Sequence, residues 1–258
     1  MAFMGKLKHA PPLLPQGISR FCATHYNGAM RHWNVTLALA LIGATLFAAE
    51  EKSKTAERLD DSAALFSEIM SVAEKQIPQN LLDRAQCVVL VPGLKKAALG
   101  FGGKYGRGFG LCRNSNGQGW GAPGAVRIEG GSFGFQIGVS SSDVVLLVMN
   151  ERGMRRLTTS KFTLGAEATA AAGPVGRNAT AQTDALMSAE ILSWSRSRGL
   201  FAGISLDGAT LRNDLDENKA MYGQPWDNKQ VLISGVKPPA MASKLIAMLN
   251  KFSPRKVD

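Results

Sequence analysis

The sequence predicts an α+β fold: N-terminal helices, then a curved and partly closed antiparallel β-sheet, then a C-terminal helix. Three observations carry this reading. Apolar residues recur at three- and four-residue spacing over Lys54–Ile77 and again over Pro239–Phe252, as amphipathic helices require. Between them lie short apolar runs bounded by turn residues, the mark of strands. Within that stretch, 15 of the 46 residues from Gly93 to Gly138 are glycine, often at alternate positions.

The elements follow in chain order. In Lys54–Ile77 the residues Leu59, Ala63, Phe66, Met70, Ala73 and Ile77 form one face. The opposite face is acidic, with Glu57, Asp60, Asp61, Glu68 and Glu74 against Arg58 and Lys75, so it is unsuited to an anionic surface. Pro78 ends this helix, and Gln79–Ala85 predicts a short second one. Cys87–Val91 reads as a strand stopped by Pro92-Gly93. Gly106, Gly108 and Gly110 would leave one strand face as bare backbone, with Arg107, Phe109 and Leu111 on the other. Glycine weakens a strand unless something approaches closely or the sheet bends sharply, so curved strands with a close-packed glycine face are expected. Asn114–Gly117 is a hairpin turn. Asp143–Met149 is a buried strand, Glu151–Leu157 a short helix or turn, and Phe162–Ala172 a loose alternation ended by Gly173-Pro174. Leu186–Trp194, Leu200–Leu206 and Ala209–Arg212 read as strands, and Asp214–Tyr222 as a helix. The closing helix, residues 239–252, carries Met241, Leu245, Met248, Leu249 and Phe252 on one face and Lys244 and Lys251 on the other. That apolar face would serve either as a foothold in a membrane or as packing against the sheet.

The N-terminus has a different character. Val35–Ala49 is a 15-residue, mostly apolar run after Arg31 and His32, followed by Glu50 and Glu51. As a helix it would reach about 22 Å, short of a bilayer core of about 30 Å. Basic residues before a short apolar run with a small-residue end predict a secretory signal over residues 30–49, with an uncleaved anchor as the alternative because a cut after Ala48 or Ala49 leaves no small residue at the minus-three position. Residues 1–29 hold Pro11, Pro12 and Pro15 and no apolar periodicity, and are expected to be a non-native extension ahead of a true start at Met30, the alternative being an unusually long n-region of the signal. Residues 50–258 are expected to form a single domain.

Composition narrows the function classes. The 258 residues carry a formal charge of +10, pointing to anionic partners such as nucleic acid or a membrane surface. Lys6, Lys8, Arg20 and Arg31 precede Glu50 and no acidic residue does, which leaves 26 basic against 20 acidic residues beyond, or +6. The three histidines, His9, His25 and His32, all precede residue 33. The domain proper therefore has no histidine for general-base or metal chemistry. Gly130–Gly134 matches the G-x-S-x-G nucleophile elbow around Ser132, but strand-like sequence follows it and no histidine lies downstream. The run GFGGKYGRGFG fits neither a P-loop nor a dinucleotide fingerprint. No catalytic residue, metal site or cofactor is expected. Cys87 and Cys112 are either a disulfide formed after export or two small buried hydrophobes. Asn178 heads a glycosylation sequon that matters only in a eukaryotic secretory path. The remaining signal is the cations: Lys95, Lys96, Lys104, Arg107 and Arg113; then Arg152, Arg155, Arg156 and Lys161; then Arg196 and Arg198; then the tail helix.

The stretches VVLVPGLKKAALGFGGKYGRGFGL, GWGAPGAVRIEGGSFGFQIGVSSSDVVLLVMN, LGAEATAAAGPVGRNA and SWSRSRGLFAGISLDGATL resemble a SYLF domain, with Ser195–Gly203 the most specific segment. The resemblance covers about residues 63–223. It implies a non-enzymatic lipid-binding module that favours anionic phospholipids. It also implies kinship with yeast and animal adaptors that carry an SH3 domain, bind actin and act in endocytosis. This sequence shows an export signal and no SH3-like segment. The expectation is therefore an exported bacterial member, peripheral to the membrane in the periplasm or cell envelope, that binds anionic phospholipid and not nucleic acid. A structural or protein-interaction role in the envelope, like an actin-binding scaffold, is the alternative. Lys95, Lys96, Lys104, Arg107, Arg196 and Arg198 are the expected lipid contacts, because they lie in glycine-rich or turn-adjacent segments and in the family-like motifs.

Overall fold

The computed structural model describes residues 26–254 except 75, 177–187 and 198, with side-chain surroundings from residue 49 onward except at 99–101 and 132–137. Most of the extension 1–29, Arg198, Asn178 and the Ser132 side chain therefore lie outside the described residues. The chain divides into two compact units, Met1–Phe47 and Ala48–Asp258. In the first, residues 26–47 have helical backbone. Among the described residues no helix is long and apolar enough to cross a membrane.

Helix α1 is assigned to Tyr26–Ser71, so in the second unit it is helical from Ala48 and ends six residues before the expected Ile77. Leu59, Ala63, Phe66 and Met70 are buried, as their spacing requires. Ile77 is buried too, but by a turn: Pro78 caps helix α2 (Gln79–Arg84), and the Gln76 carbonyl accepts from Gly176 N–H at 3.0 Å. An apolar residue in register with a helix was thus buried without being helical.

Strands β1 (Cys87–Cys112) and β2 (Gly124–Val148) pair antiparallel from Gly110↔Gly124 to Cys87↔Val148. The expected stop at Pro92-Gly93 is corrected: the strand runs through it as a bulge, with a register shift between Val91 and Leu94. Gly93 adopts φ 65°, and its N–H bonds the Asp143 carboxylate at 2.9 Å. Pro92 is tolerated there because a bulge frees the ladder from needing its missing donor. A second shift falls between Leu99 and Phe101.

The β1–β2 ribbon doubles back so that the two ends of β1 meet. Cys87 and Cys112 form a disulfide, with their Cα atoms 3.9 Å apart and 25 residues separating them in sequence. Closing a loop of that size removes unfolded-state entropy worth about 3.5 kcal/mol. The alternating glycines line the seam between the two arms. A Cβ on Gly108 would lie 2.0 Å from the Leu90 carbonyl oxygen, and one on Gly106 would lie 2.8 Å from side-chain carbons of both Val91 and Leu94.

The remaining strands are β3 (Lys161–Thr163), β4 (Ala170–Ala172), β5 (Ile191–Ser197), β6 (Leu200–Gly203) and β7 (Thr210–Asn213). The sheet order is β3-β7-β2-β5-β4, with β1 on β2 and β6 on β5. β4 runs parallel to β5, so the sheet is mixed rather than wholly antiparallel. The loose alternation over Phe162–Ala172 is two short strands around a turn in which Gly165 has φ 81°. The helices are α3 (Glu151–Leu157), α4 (Leu215–Tyr222), α5 (Asn228–Ile233) and α6 (Ser243–Phe252). Side chains of Asn150, Asp214 and Asp227 cap α3, α4 and α5, the last in a capping box with Gln230.

Apolar residues on β1 and β2 alternate between two cores, which is why these stretches read as unbroken apolar runs. Val88, Leu90, Val145 and Leu147 face α1, α2 and α6. Val89, Val91, Val144 and Leu146 face the opposite cluster, with Leu157 of α3, Phe162 and Leu211.

Candidate anionic-surface site

The bend of the ribbon gathers three of the six expected contact residues. Lys95 and Lys96 follow the Gly93 bulge and pair with Ser141 and Ser140. Both are exposed, and as neighbours on a strand they offer charge to opposite faces. Lys104 returns on the other arm opposite Gly130. Burial, and then repulsion from Lys96, hold its ammonium pKa below the usual lysine range. Among the described residues none of the three lysines has a salt-bridge partner, although Asp207 acts on Lys104 at longer range. Two large apolar residues of the same sheet stand in solvent, Val139 on the neighbouring strand and Leu200 two strands further on. Val139, opposite Ala97, is 82% exposed, and Leu200 is 68% exposed. Leu200 follows the β5–β6 turn, where Gly199 has φ 77° and the Ser197 hydroxyl reaches the Ser141 carbonyl at 3.5 Å.

Arg107 is not available to a surface ligand. Its Nε donates to Asp214 at 2.6 Å, and its terminal nitrogens meet Glu217 at 2.8 Å and Glu51 at 3.2 Å. Arg58 of α1 also pairs with Glu217. The Asp214 and Glu217 side chains are almost wholly buried. Burial opposes the charge on Arg107, but Asp214 and Glu217 outweigh it and raise its pKa above the ordinary value. Burial raises the Glu217 carboxyl, with Arg58 and Arg107 pulling the other way. The group ties α1, β1 and α4 together. Signals for it were present in the alternation that put Arg107 opposite a glycine face and in Asp214 at a helix start, but its partners lie 107 residues apart in sequence.

Arg196 is likewise engaged, with Asp143 at 2.8 Å and with Glu68 of α1. It clamps the helix to the sheet at the edge of a cleft of about 460 Å³, whose lining carries both signs of charge, with Asp61, Glu68 and Asp143 between Arg58 and Arg196. The tail helix gives no membrane foothold. Leu245 and Leu249 are buried, and Phe252 meets Phe66 edge-on at 6.0 Å between ring centres. Arg113 is buried over the Trp120 ring, 4.1 Å from its centre, and donates to the Ser253 carbonyl at 2.6 Å. Sequence reasoning missed Val139 and Leu200; the usable signal for Val139 was the charge-free run from Gly130 to Ser142, and no comparable signal marked Leu200.

A model of the Ysc84 family, described as "Las17-binding protein actin regulator", matches residues 129–252. The chain belongs to this family, the SYLF proteins. It is 34% identical over 191 residues to the SH3 domain-containing YSC84-like protein 1 of rat, covering 73% of this chain and 56% of that protein. The human protein of the same name is 32% identical over 191 residues, covering 73% and 55%. Protein YSC84 of Saccharomyces cerevisiae is 32% identical over 180 residues, covering 69% of this SYLF chain and 38% of the yeast protein. The SYLF chain spans about half the length of the curated relatives it matches. The segment Ser195–Gly203 has a structural reading: Arg196 clamps α1, Gly199 makes the turn, and Gly203 packs on the backbone of Gly173. A Cβ on Gly203 would lie 2.1 Å from the Gly173 carbonyl oxygen.

Proposed function

We propose that this SYLF protein is a non-enzymatic module that docks on anionic phospholipid through the bend of the β1–β2 ribbon. The observation that carries the reading is the placing of Lys95 and Lys96 on one arm and Lys104 on the other, flanking the bend, none with a salt-bridge partner among the described residues, on the same sheet as exposed Val139 and Leu200. With a charge of only +6 beyond residue 49, affinity comes from local contacts, since charges more than about 8 Å from the surface are screened at physiological salt. Each cation at an anionic surface contributes about 1 kcal/mol. Lys95→Glu/Lys96→Glu is therefore expected to weaken binding to phosphatidylserine vesicles by about thirtyfold or more. Co-sedimentation at low and high salt checks this. Unchanged binding of the variant, or wild-type binding indifferent to salt and anionic lipid, would favour the second reading, a protein-interaction component of the envelope. That second reading draws support from the family description, which names an actin regulator.

The protein is read further as exported, with residues 30–49 as a signal and residues 50–258 as the working domain. The Cys87–Cys112 disulfide supports an oxidising compartment such as the periplasm. N-terminal sequencing of protein from the native envelope is expected to find a start at Ala49 or Glu50. A soluble cytoplasmic species that retains residues 30–49 would refute export.

A further inference from the structure

Between the lysines of the ribbon lies a segment without a single charge. It comprises residues 97–103 of β1, AALGFGG, and residues 131–139 of β2, GSFGFQIGV. The two stretches are partners in one register, with Ala97↔Val139, Leu99↔Ile137 and Phe101↔Phe133. Lys95 and Lys96 border the segment on one arm and Lys104 on the other. The ends of β1 are fastened together at Cys87 and Cys112, and the arms press together where Gly106 meets Val91 and Leu94, so this segment forms the turn-back of the doubled ribbon, remote from the disulfide. The side chain described within it that stands furthest into solvent, Val139, is the most exposed large hydrophobic residue described, and Leu200 on the adjoining β5–β6 turn is the next.

An uncharged, largely apolar sequence at the turn-back, bordered by cations and carrying the exposed Val139, matches the layering of an anionic bilayer. Lysine stems lie along apolar surface while their ammonium groups remain at the level of the phosphates, and an apolar tip beyond them gains by leaving water for the acyl boundary. A folded protein partner would not need that border to be wholly cationic on β1. We infer that the turn-back of the ribbon is a membrane-inserting element, with Val139 and Leu200 entering the acyl boundary and Lys95, Lys96 and Lys104 held at the headgroups. The inference rests on the proposed anionic-lipid binding and adds a depth to it.

Two measurements on the full chain test it, with vesicles of phosphatidylserine in phosphatidylcholine as the probe. In the first, Val139→Ser/Leu200→Ser is compared with wild type at high salt, where screening suppresses the lysine contribution. Both residues are exposed, so the melting temperature should stay unchanged. The double variant is expected to bind about tenfold more weakly or worse, from the loss of two partly buried aliphatic side chains. In the second, Val139→Cys in a Cys22→Ser background is labelled with an environment-sensitive fluorophore. On adding vesicles its emission should shift to the blue and be quenched by spin labels on the acyl chains. Salt-sensitive vesicle binding with no blue shift, or with equal affinity for wild type and the serine variant, overturns insertion and leaves electrostatic docking in place. If wild type fails to sediment with the vesicles, both the docking and the insertion are overturned.

Discussion

Replacing Arg107 with alanine is expected to destabilise the domain by about 3–5 kcal/mol, the usual cost of stripping one partner from a buried ion pair. Asp214 and Glu217, each with a side chain almost wholly buried, lose their shared cation, and Arg58 remains as a counter-charge for Glu217 alone. The loss should depend on pH in a definite sense. Burial already holds the Glu217 carboxyl above the ordinary value, and Arg107 is one of the two cations opposing that shift. Without it the folded-state pKa climbs further above the unfolded one. The variant then keeps more of its stability at pH below the unfolded carboxylate range and loses it as pH rises through the raised folded value. Urea titrations at acid and neutral pH check both points. Equal stability of variant and wild type at neutral pH would show that the ion group carries no weight. Arg107→Lys should lose less, retaining the charge but not the three-way reach of the guanidinium.

Gly108→Ala is expected to cost about 3 kcal/mol or more, at the upper end of overpacking effects. The added carbon would lie 2.0 Å from the Leu90 carbonyl oxygen and 2.7 Å from the Val91 Cα, both backbone atoms of the facing arm, which cannot rotate away. Gly110→Ala is the control, because its nearest neighbour would be a Leu157 methyl at 3.5 Å, an ordinary contact. A melting temperature lowered in the first and little changed in the second is the expected pattern. A small effect of Gly108→Ala would mean that the arms are not pressed together at that point.

Much of the fold was legible because burial imposes a period. The face Leu59–Ala63–Phe66–Met70 of α1 and the face Leu245–Leu249 of α6 stood out at helical spacing, and both are core. The glycine alternation announced a close approach of backbone, and the arm carrying Val91 and Leu94 supplies it. What local pattern could not decide was whether a punctuating residue ends a strand or bends it. Pro92-Gly93 bends one, because Asp143, 50 residues away in sequence, accepts the Gly93 N–H. Helix α5 escaped notice because six residues carry too little periodicity, although its capping box Asp227–Gln230 was in plain view. Of the site, the lysines were readable as a cluster. The engagement of Arg107 and Arg196 was not, since a cation facing solvent and one facing a distant carboxylate look alike in one dimension.

The ion group and the clamp also bear on when the domain can finish folding. The ribbon is built from neighbours and can zip from its own turn, but its central strand stays half-dressed until β5 and β7 arrive. Arg196 reaches Asp143 across 53 residues, Arg107 reaches Asp214 across 107, and Arg113 is satisfied by Ser253, 140 residues further on. Contacts of such long range close slowly, because the loop entropy must be lost before they form. The Leu82 and Ala85 carbonyls, which precede Arg113 in the chain, can hold its guanidinium early, whereas its bonds to Ser253 form only when the closing helix docks. The step that completes the fold is therefore expected to be the docking of β5, β7 and the closing helix onto a ribbon that has already paired.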